Sequence, residues 1–390
     1  MIFGALLDES CRPKEMTSAM KNTPTATTSE TKPNQAAIST TQMESGSNHE
    51  TIATKPVLYR ENTRTVLNLE NSAFQEKMLC DGITLNLGDA CVFSCEYCYV
   101  PDQMRKIDKP LIDDYNAKHP KNRDLGFHEV VIRRRNALTV LYDQLINRRG
   151  LSRFADPCDD RVVYSSTLVD VAATMNLLYE TAAACSLILE HTHWQIRLLS
   201  KGNLLHQLFK MNLIPTRYRD RMILGFSTGT ADDGVASAIE SGTALVSKRL
   251  TALHWLQDQG YRTFGMICPS LPQAEYESFS SEICEAIRVD RCEHIWAEVI
   301  NVRGDSFIRT LAALDTAGLS DEAIRLSSVS GPGNRTNWEN YARDTFVAHT
   351  QNIPPHKLRF LQYVTPESRL WWANQQNKGA LLLGSAATPA

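Results

Sequence analysis

The chain has 390 residues, with 41 Lys and Arg against 44 Asp and Glu, a formal charge of −3 and 43% hydrophobic residues. That length suits one large domain or two small ones, and the composition is ordinary for a globular chain. The near-neutral balance excludes binding of a polyanion through overall charge, though not through a local basic patch. No apolar run reaches the ~18 residues of a membrane span. Met1–Leu7 lacks both the length and the basic start of a signal peptide.

Residues 1–55 are rich in Thr, Ser, Asn, Lys and Glu. They carry too little large apolar surface to offset the entropy of ordering, so a disordered tail is expected. The chain enters its folded part over 56–82, with Val66–Leu69 as a short edge element. Six strand candidates follow, at 82–88, 161–166, 195–200, 222–227, 262–268 and 294–300. Apolar-periodic segments near 128–147, 169–189, 203–212, 245–258 and 274–288 read as helices between them. Strands alternating with such helices predict parallel βα units. The remaining segment reads as helical from 305 to 350, then as an apolar closing element over 360–364 and 379–384 that packs on the open side. Trp371 and Trp372 read as core.

Directly after the first strand comes Cys91-Val92-Phe93-Ser94-Cys95-Glu96-Tyr97-Cys98, a C-x3-C-x2-C motif. Three thiolates on one short loop can hold a metal or an iron–sulfur centre, and a closed zinc site would want a fourth ligand. The next His is His119, so the fourth position is left open. Zinc binding or three packed cysteines is the alternative reading. The other cysteines follow no regular spacing and read as buried reduced thiols, which fits a cytoplasmic location.

In parallel βα architectures the chemistry sits where strands end. After the second strand come Ser165, Ser166, Thr167 and Asp170, either ligand contacts or an N-cap cluster for a helix starting near Val169. Lys201 follows the third strand and could pair with a carboxylate. Ser227-Thr228-Gly229-Thr230 follows the fourth, where small residues admit a ligand close to the backbone. Glu298 lies in the sixth strand, with Arg303 beyond it as a cationic partner.

With these residues in view, the chain resembles the radical S-adenosylmethionine (SAM) superfamily, through the cysteine motif and Tyr99. Within it, residues 82–384 resemble the spore photoproduct lyase and DNA repair photolyase-like branch. That closer likeness rests on Cys95-Glu96-Tyr97-Cys98-Tyr99, Ser200-Lys201, Gly225-Phe226-Ser227-Thr228, Glu240-Ser241-Gly242-Thr243, Lys248-Arg249-Leu250, Ile267-Cys268-Pro269-Ser270-Leu271-Pro272 and Gly379–Gly384. The resemblance implies an α/β fold with a partial (β/α)6 radical SAM barrel over 56–304, a basic helical insertion at 119–153, and a C-terminal α/β extension at 305–390. It implies a [4Fe-4S] cluster on Cys91, Cys95 and Cys98. That cluster would cleave SAM reductively to a 5′-deoxyadenosyl radical, which abstracts hydrogen from a substrate. Ser165, Ser166, Thr167, Lys201, Ser227 and Arg303 are the implied cofactor contacts, and Tyr97 and Tyr99 would flank the cofactor and assist return of the radical. The family's cysteine near the end of the second strand has no counterpart: the region reads Tyr164-Ser165-Ser166-Thr167, and Cys158 precedes the strand. A reducing partner such as flavodoxin or ferredoxin is implied as well.

Nucleic acid is the expected substrate. The insertion carries Lys121, Arg123, Arg133, Arg134, Arg135, Arg148, Arg149 and Arg153, and a second basic cluster is Arg217, Arg219 and Arg221. Patches of this size hold phosphates, although Arg133–Arg135 would spread around a helix rather than line one stripe. The competing readings are a radical SAM enzyme acting on a peptide or small metabolite, and a non-catalytic iron–sulfur or zinc protein.

Overall fold

The computed structural model describes residues 55–120, 122, 124–300, 305–329 and 335–384. The expected tail, apart from Lys55, therefore lies outside the described residues, as do Lys121, Arg123 and Arg303.

The described strands, in chain order, are β1 (Val57–Arg60), β2 (Leu67–Asn68), β3 (Ile83–Leu85), β4 (Gly88–Ala90), β5 (Val131–Arg134), β6 (Val162–Ser165), β7 (Gln195–Ser200), β8 (Met222–Ser227), β9 (Arg262–Ser270), β10 (Ile295–Val299), β11 (Leu358–Tyr363) and β12 (Ala380–Leu383). Nine of them form one sheet in the order β12-β11-β10-β9-β8-β7-β6-β3-β2. Every neighbouring pair in it is parallel except β2–β3. β3 and β6–β12 thus stand side by side in chain order. The last two strands extend the same parallel sheet beyond β10, where the sequence suggests a single closing element.

Sequence explains why these segments are strands. Val162-Val163-Tyr164-Ser165 and Met222-Ile223-Leu224-Gly225-Phe226-Ser227 are almost wholly buried. Continuous apolar runs of this length suit parallel strands covered on both faces. One face packs under the helices at 137–145, 175–191, 246–258, 276–286 and 335–352, in a cluster that includes Leu178, Ile188, Leu224, Leu253, Ile283 and Phe346. The other face gathers Tyr164 (β6), Leu199 (β7), Ile223 (β8), Phe264 (β9), Trp296 (β10), Leu361 (β11) and Leu383 (β12) into a separate cluster. The guanidinium of Arg197 on β7 lies 5.6 Å from the Phe264 ring and 4.8 Å from the Trp296 ring, so it spans strands that are not neighbours. Residues 77–79 cross this second face near the N-terminal halves of the strands. The Trp296 indole donates to the Lys77 carbonyl at 2.7 Å, and Arg197 donates to the carbonyls of Leu79 (2.5 Å) and Met78 (3.2 Å).

The segment at 128–147 departs from the helical expectation in its first half. Val131–Arg134 forms β5, parallel to β1 and antiparallel to β4 in a three-stranded sheet. A helix follows only at Ala137–Leu145. Arg133, Arg134 and Arg135 therefore lie along a strand and its end, not around a helix. Each is engaged: Arg133 with Glu180, Arg134 with buried Asp89 at 2.7 Å, and Arg135 with Glu61. A helix at Val100–Lys118 follows the cysteine loop, with Pro101 in its first turn, where a missing N–H costs nothing.

Candidate active site

The cysteine loop spans residues 91–99, between β4 and the helix at 100–118. It is fastened to segments that lie past the C-terminal ends of β7 and β8. The Glu96 N–H donates to the Ile239 carbonyl at 2.9 Å, and the Gly242 N–H to the Phe93 carbonyl at 3.2 Å. The approach at Gly242 is close: a Cβ there would stand 2.5 Å from the Phe93 oxygen. Gly202, just past β7, faces the Phe93 ring, with 3.4 Å between that ring and the place of a Cβ. On one flank the Lys55 ammonium donates to the Val92 carbonyl at 2.9 Å and to the Ser94 hydroxyl, which itself donates to the His128 carbonyl at 2.7 Å. On the other flank Arg309 donates to the Glu96 carbonyl at 2.7 Å.

Cys91, Cys95 and Cys98 are free thiols in this loop. Burial pushes the Cys91 thiol up to about 12, with the Asp170 carboxylate adding to the shift. Burial also raises Cys95 and Cys98, against the pull of Lys201 and, at Cys98, of Arg309. Buried thiols of this kind become thiolates only against a positive centre, as metal ligands do. Among the described residues, no three His, Cys, Asp or Glu side chains converge on a point that one ion could fill. The donor set of the loop is all cysteine sulfur, the ligand type that iron–sulfur clusters take and that zinc also accepts.

Beside the loop lies a buried ionic network. The Lys201 ammonium donates to the Ser227 hydroxyl at 2.8 Å, to Glu240 at 3.0 Å and to the Cys268 carbonyl at 3.1 Å. It also sits 5.1 Å from the centre of the Tyr97 ring. The Tyr97 hydroxyl donates to the same Glu240 oxygen, and Arg249 pairs with the other. Burial alone would push the Glu240 carboxyl up; Lys201 and Arg249 hold it below its ordinary value. Sequence singles out Tyr97, Lys201 and Ser227 as site residues, and the structure brings these three together.

The residues past β6 behave differently. Ser165 donates to the Leu85 carbonyl at 3.0 Å, and the Thr167 hydroxyl bonds the Asn86 side chain, so both hydroxyls serve the sheet. Ser166 has φ 112°, a left-handed conformation that a serine seldom adopts. The helix there starts at Met175, capped by Thr174, which corrects the expected start near Val169. Asp170 is not a helix cap. Its buried carboxylate accepts the Ser200 hydroxyl at 2.8 Å and the Lys201 N–H at 2.7 Å, fixing the backbone that carries Lys201. Tyr99 is 40% exposed and donates to the Thr167 carbonyl at 2.6 Å. Glu298, expected to pair with Arg303, faces Lys77 at 3.9 Å and the Cys268 thiol at 3.9 Å.

Sequence reasoning misses Glu240, Arg249, Lys55 and Arg309 as site residues, and it misses the part that Asp170 plays. Glu240 and Arg249 stand inside motifs quoted above. The available signal is their place in those motifs, nine residues apart, since a buried carboxylate demands a cationic partner.

No protein-family profile matches the chain, and no curated protein matches it. Solved structures of spore photoproduct lyase mutants are similar to it. One, with dinucleoside spore photoproduct, has 14% identity over 66% of this chain and 65% of its own, with a TM-score of 0.45. This chain thus spans slightly less than two thirds of that lyase. Another, with bound AdoMet and dinucleoside spore photoproduct, has 14% identity over 66% of each chain and a TM-score of 0.42. A third has 13% identity over 79% of this chain and 82% of its own, with a TM-score of 0.49.

Proposed function

We propose that this chain is a radical SAM enzyme whose parallel sheet forms an open barrel with the reaction at its C-terminal mouth. One observation carries the reading. Three free thiols on one loop, an all-sulfur donor set of the kind that iron–sulfur clusters take, stand beside the Lys201–Glu240–Tyr97 network past the ends of β7 and β8. A [4Fe-4S] cluster on Cys91, Cys95 and Cys98 would supply the electron that cleaves SAM and so begins hydrogen abstraction. The residues have separable tasks. Lys201, a compact charge beside the Ser227 hydroxyl, suits the carboxylate of SAM. Glu240 keeps that ammonium in place, and Asp170 orients its backbone. Tyr97 is held by its bond to Glu240 and Tyr99 by its bond to the Thr167 carbonyl, and the part-exposed ring of Tyr99 can meet substrate. The protein is then reduced by a small electron carrier such as flavodoxin or ferredoxin.

The test is anaerobic reconstitution with iron and sulfide, followed by dithionite and SAM, with 5′-deoxyadenosine measured by chromatography. Formation of 5′-deoxyadenosine supports the proposal. Stoichiometric zinc in the isolated protein, with no cleavage after reconstitution, overturns it in favour of a non-catalytic metal protein.

The family resemblance makes nucleic acid the first substrate to try. A peptide or small metabolite is favoured by one observation: much of the expected basic surface is used within the fold. Arg133–Arg135 are ion-paired, Arg219 donates to the Gln259 and Gly260 carbonyls, and Arg221 to those of Leu189, Thr192 and Trp194. Salt-dependent binding of DNA or RNA supports the first; its absence, with SAM cleavage intact, supports the second.

A further inference from the structure

We propose that Lys55 is a positioning residue for the cysteine loop, locking the Val92–Ser94 turn into the shape that presents the three thiols and easing electron uptake by the group they hold. The inference rests on the cluster reading above, but its structural half stands without it.

The turn between Cys91 and Cys95 is strained. Ser94 has φ 52°, a left-handed conformation that costs a non-glycine residue on the order of 1–2 kcal/mol. Such a conformation persists only where its surroundings over-determine it. Here the Ser94 hydroxyl is held from two sides. It donates to the His128 carbonyl at 2.7 Å and accepts from the Lys55 ammonium. The same ammonium takes the Val92 carbonyl at 2.9 Å, so one cation ties both ends of the turn. Lys55 reaches the loop from 37 residues away in sequence, two residues before β1 begins, so no local propensity supplies this contact.

The charge has a second consequence. Lys55 interacts electrostatically with both Cys91 and Cys95. Three thiolates are a concentrated negative charge, and adding an electron there is opposed by it. Reduction potentials of iron–sulfur centres follow net charge and hydrogen bonding around the sulfurs. A positive charge bonded to the turn that carries two of these sulfurs stabilises the reduced form more than the oxidised one. Arg309 acts on the opposite flank through the Glu96 carbonyl and Lys201 acts on Cys95 through space, whereas Lys55 is hydrogen-bonded to the Cys91–Cys95 turn itself.

The experiment compares Lys55→Met, which keeps the aliphatic stem, with Lys55→Arg, which restores the charge. Hydrogen exchange of the amides between 92 and 98 is measured first, on apo protein, with a thermal melt to show that both variants fold. The expected result is at least tenfold faster exchange in Lys55→Met and near-wild-type exchange in Lys55→Arg. An EPR-monitored redox titration of the reconstituted protein follows. The expected result is a shift to more negative potential in Lys55→Met, on the order of 59 mV for a tenfold change in a one-electron couple. Unchanged exchange in Lys55→Met overturns the positioning role. An unchanged or more positive potential overturns the electronic role. Wild-type protein that binds no iron removes the electronic role and the proposed function together, while the exchange data still decide the clamp.

Discussion

Replacing Glu240 by Gln tests the network at its centre. The side chain is 3% exposed, and it faces Lys201 at 17% and Arg249 at 1%. The amide of Glu240→Gln keeps nearly the same shape and loses only the charge, leaving two buried cations with no carboxylate between them. Removing one partner from a buried pair costs about 3–5 kcal/mol. The lower end of that range applies here, because Lys201 keeps the Ser227 hydroxyl and the Cys268 carbonyl, and Arg249 keeps the Ser227 and Ala244 carbonyls. Lys201→Met alone leaves Glu240 neutralised by Arg249, so it costs less. In the double variant one of the two stranded cations is gone, and the losses fall short of their sum by ~2 kcal/mol, within the usual range for residues in contact. Urea unfolding of the four apo proteins at pH 7, followed by circular dichroism, measures the cycle. A loss below ~1 kcal/mol for Glu240→Gln, or additivity of the two changes, refutes the account of a carboxylate compensating two buried cations.

Three further outcomes follow from the site and its scaffold. Gly242→Ala puts a methyl 2.5 Å from the Phe93 oxygen, with backbone on both sides of the contact. It should cost ~1–3 kcal/mol and lower iron binding after reconstitution, and full iron content with unchanged stability would show the contact to be soft. Ala at Cys91, Cys95 or Cys98 should abolish SAM cleavage and iron retention while far-UV circular dichroism stays unchanged; retained cleavage in any one of them removes that residue from the ligand set. Fully buried His349 bonds Ser280 at 2.9 Å through Nδ1, and burial pushes its pKa down to about 4. Its folded pKa is lower than its unfolded one, so the stability it contributes is complete above pH ~6.5 and is lost as pH falls through ~4, roughly 3 kcal/mol in all. Melting curves of His349→Gln should flatten over that window, and profiles parallel to wild type would count against the assignment.

What sequence makes legible is what depends on neighbours in the chain. Gln195–Ser200 and Met222–Ser227 announce β7 and β8 because both faces are covered and their residues are mostly apolar, with Arg197 alone interrupting the first run. The cysteine spacing announces the loop. The helix at Val100–Lys118 stays hidden because its buried stripe, Val100, Met104, Asp108 and Ile112, includes a carboxylate, and because Pro110 sits inside it. That carboxylate is paired with Arg60, on a strand too far back in sequence for periodicity to reveal. β5 reads as helix because Val131-Ile132-Arg133-Arg134 has one buried position, Ile132, and its pairing with β1 lies far upstream. The same limit applies to the site. Lys201 and Tyr97 can be picked out individually, but the carboxylate joining them comes from a turn after β8, and only the folded chain assembles the three.

The peptide at residues 77–79, pinned across one face of the sheet by Trp296 and Arg197, acts as a strap between strands that share no backbone ladder. β7 and β10 each hold the same short segment upstream of β3 by a side chain. Local opening of either strand therefore has to break or drag a tether that the other also carries, so the two strands open together rather than one at a time.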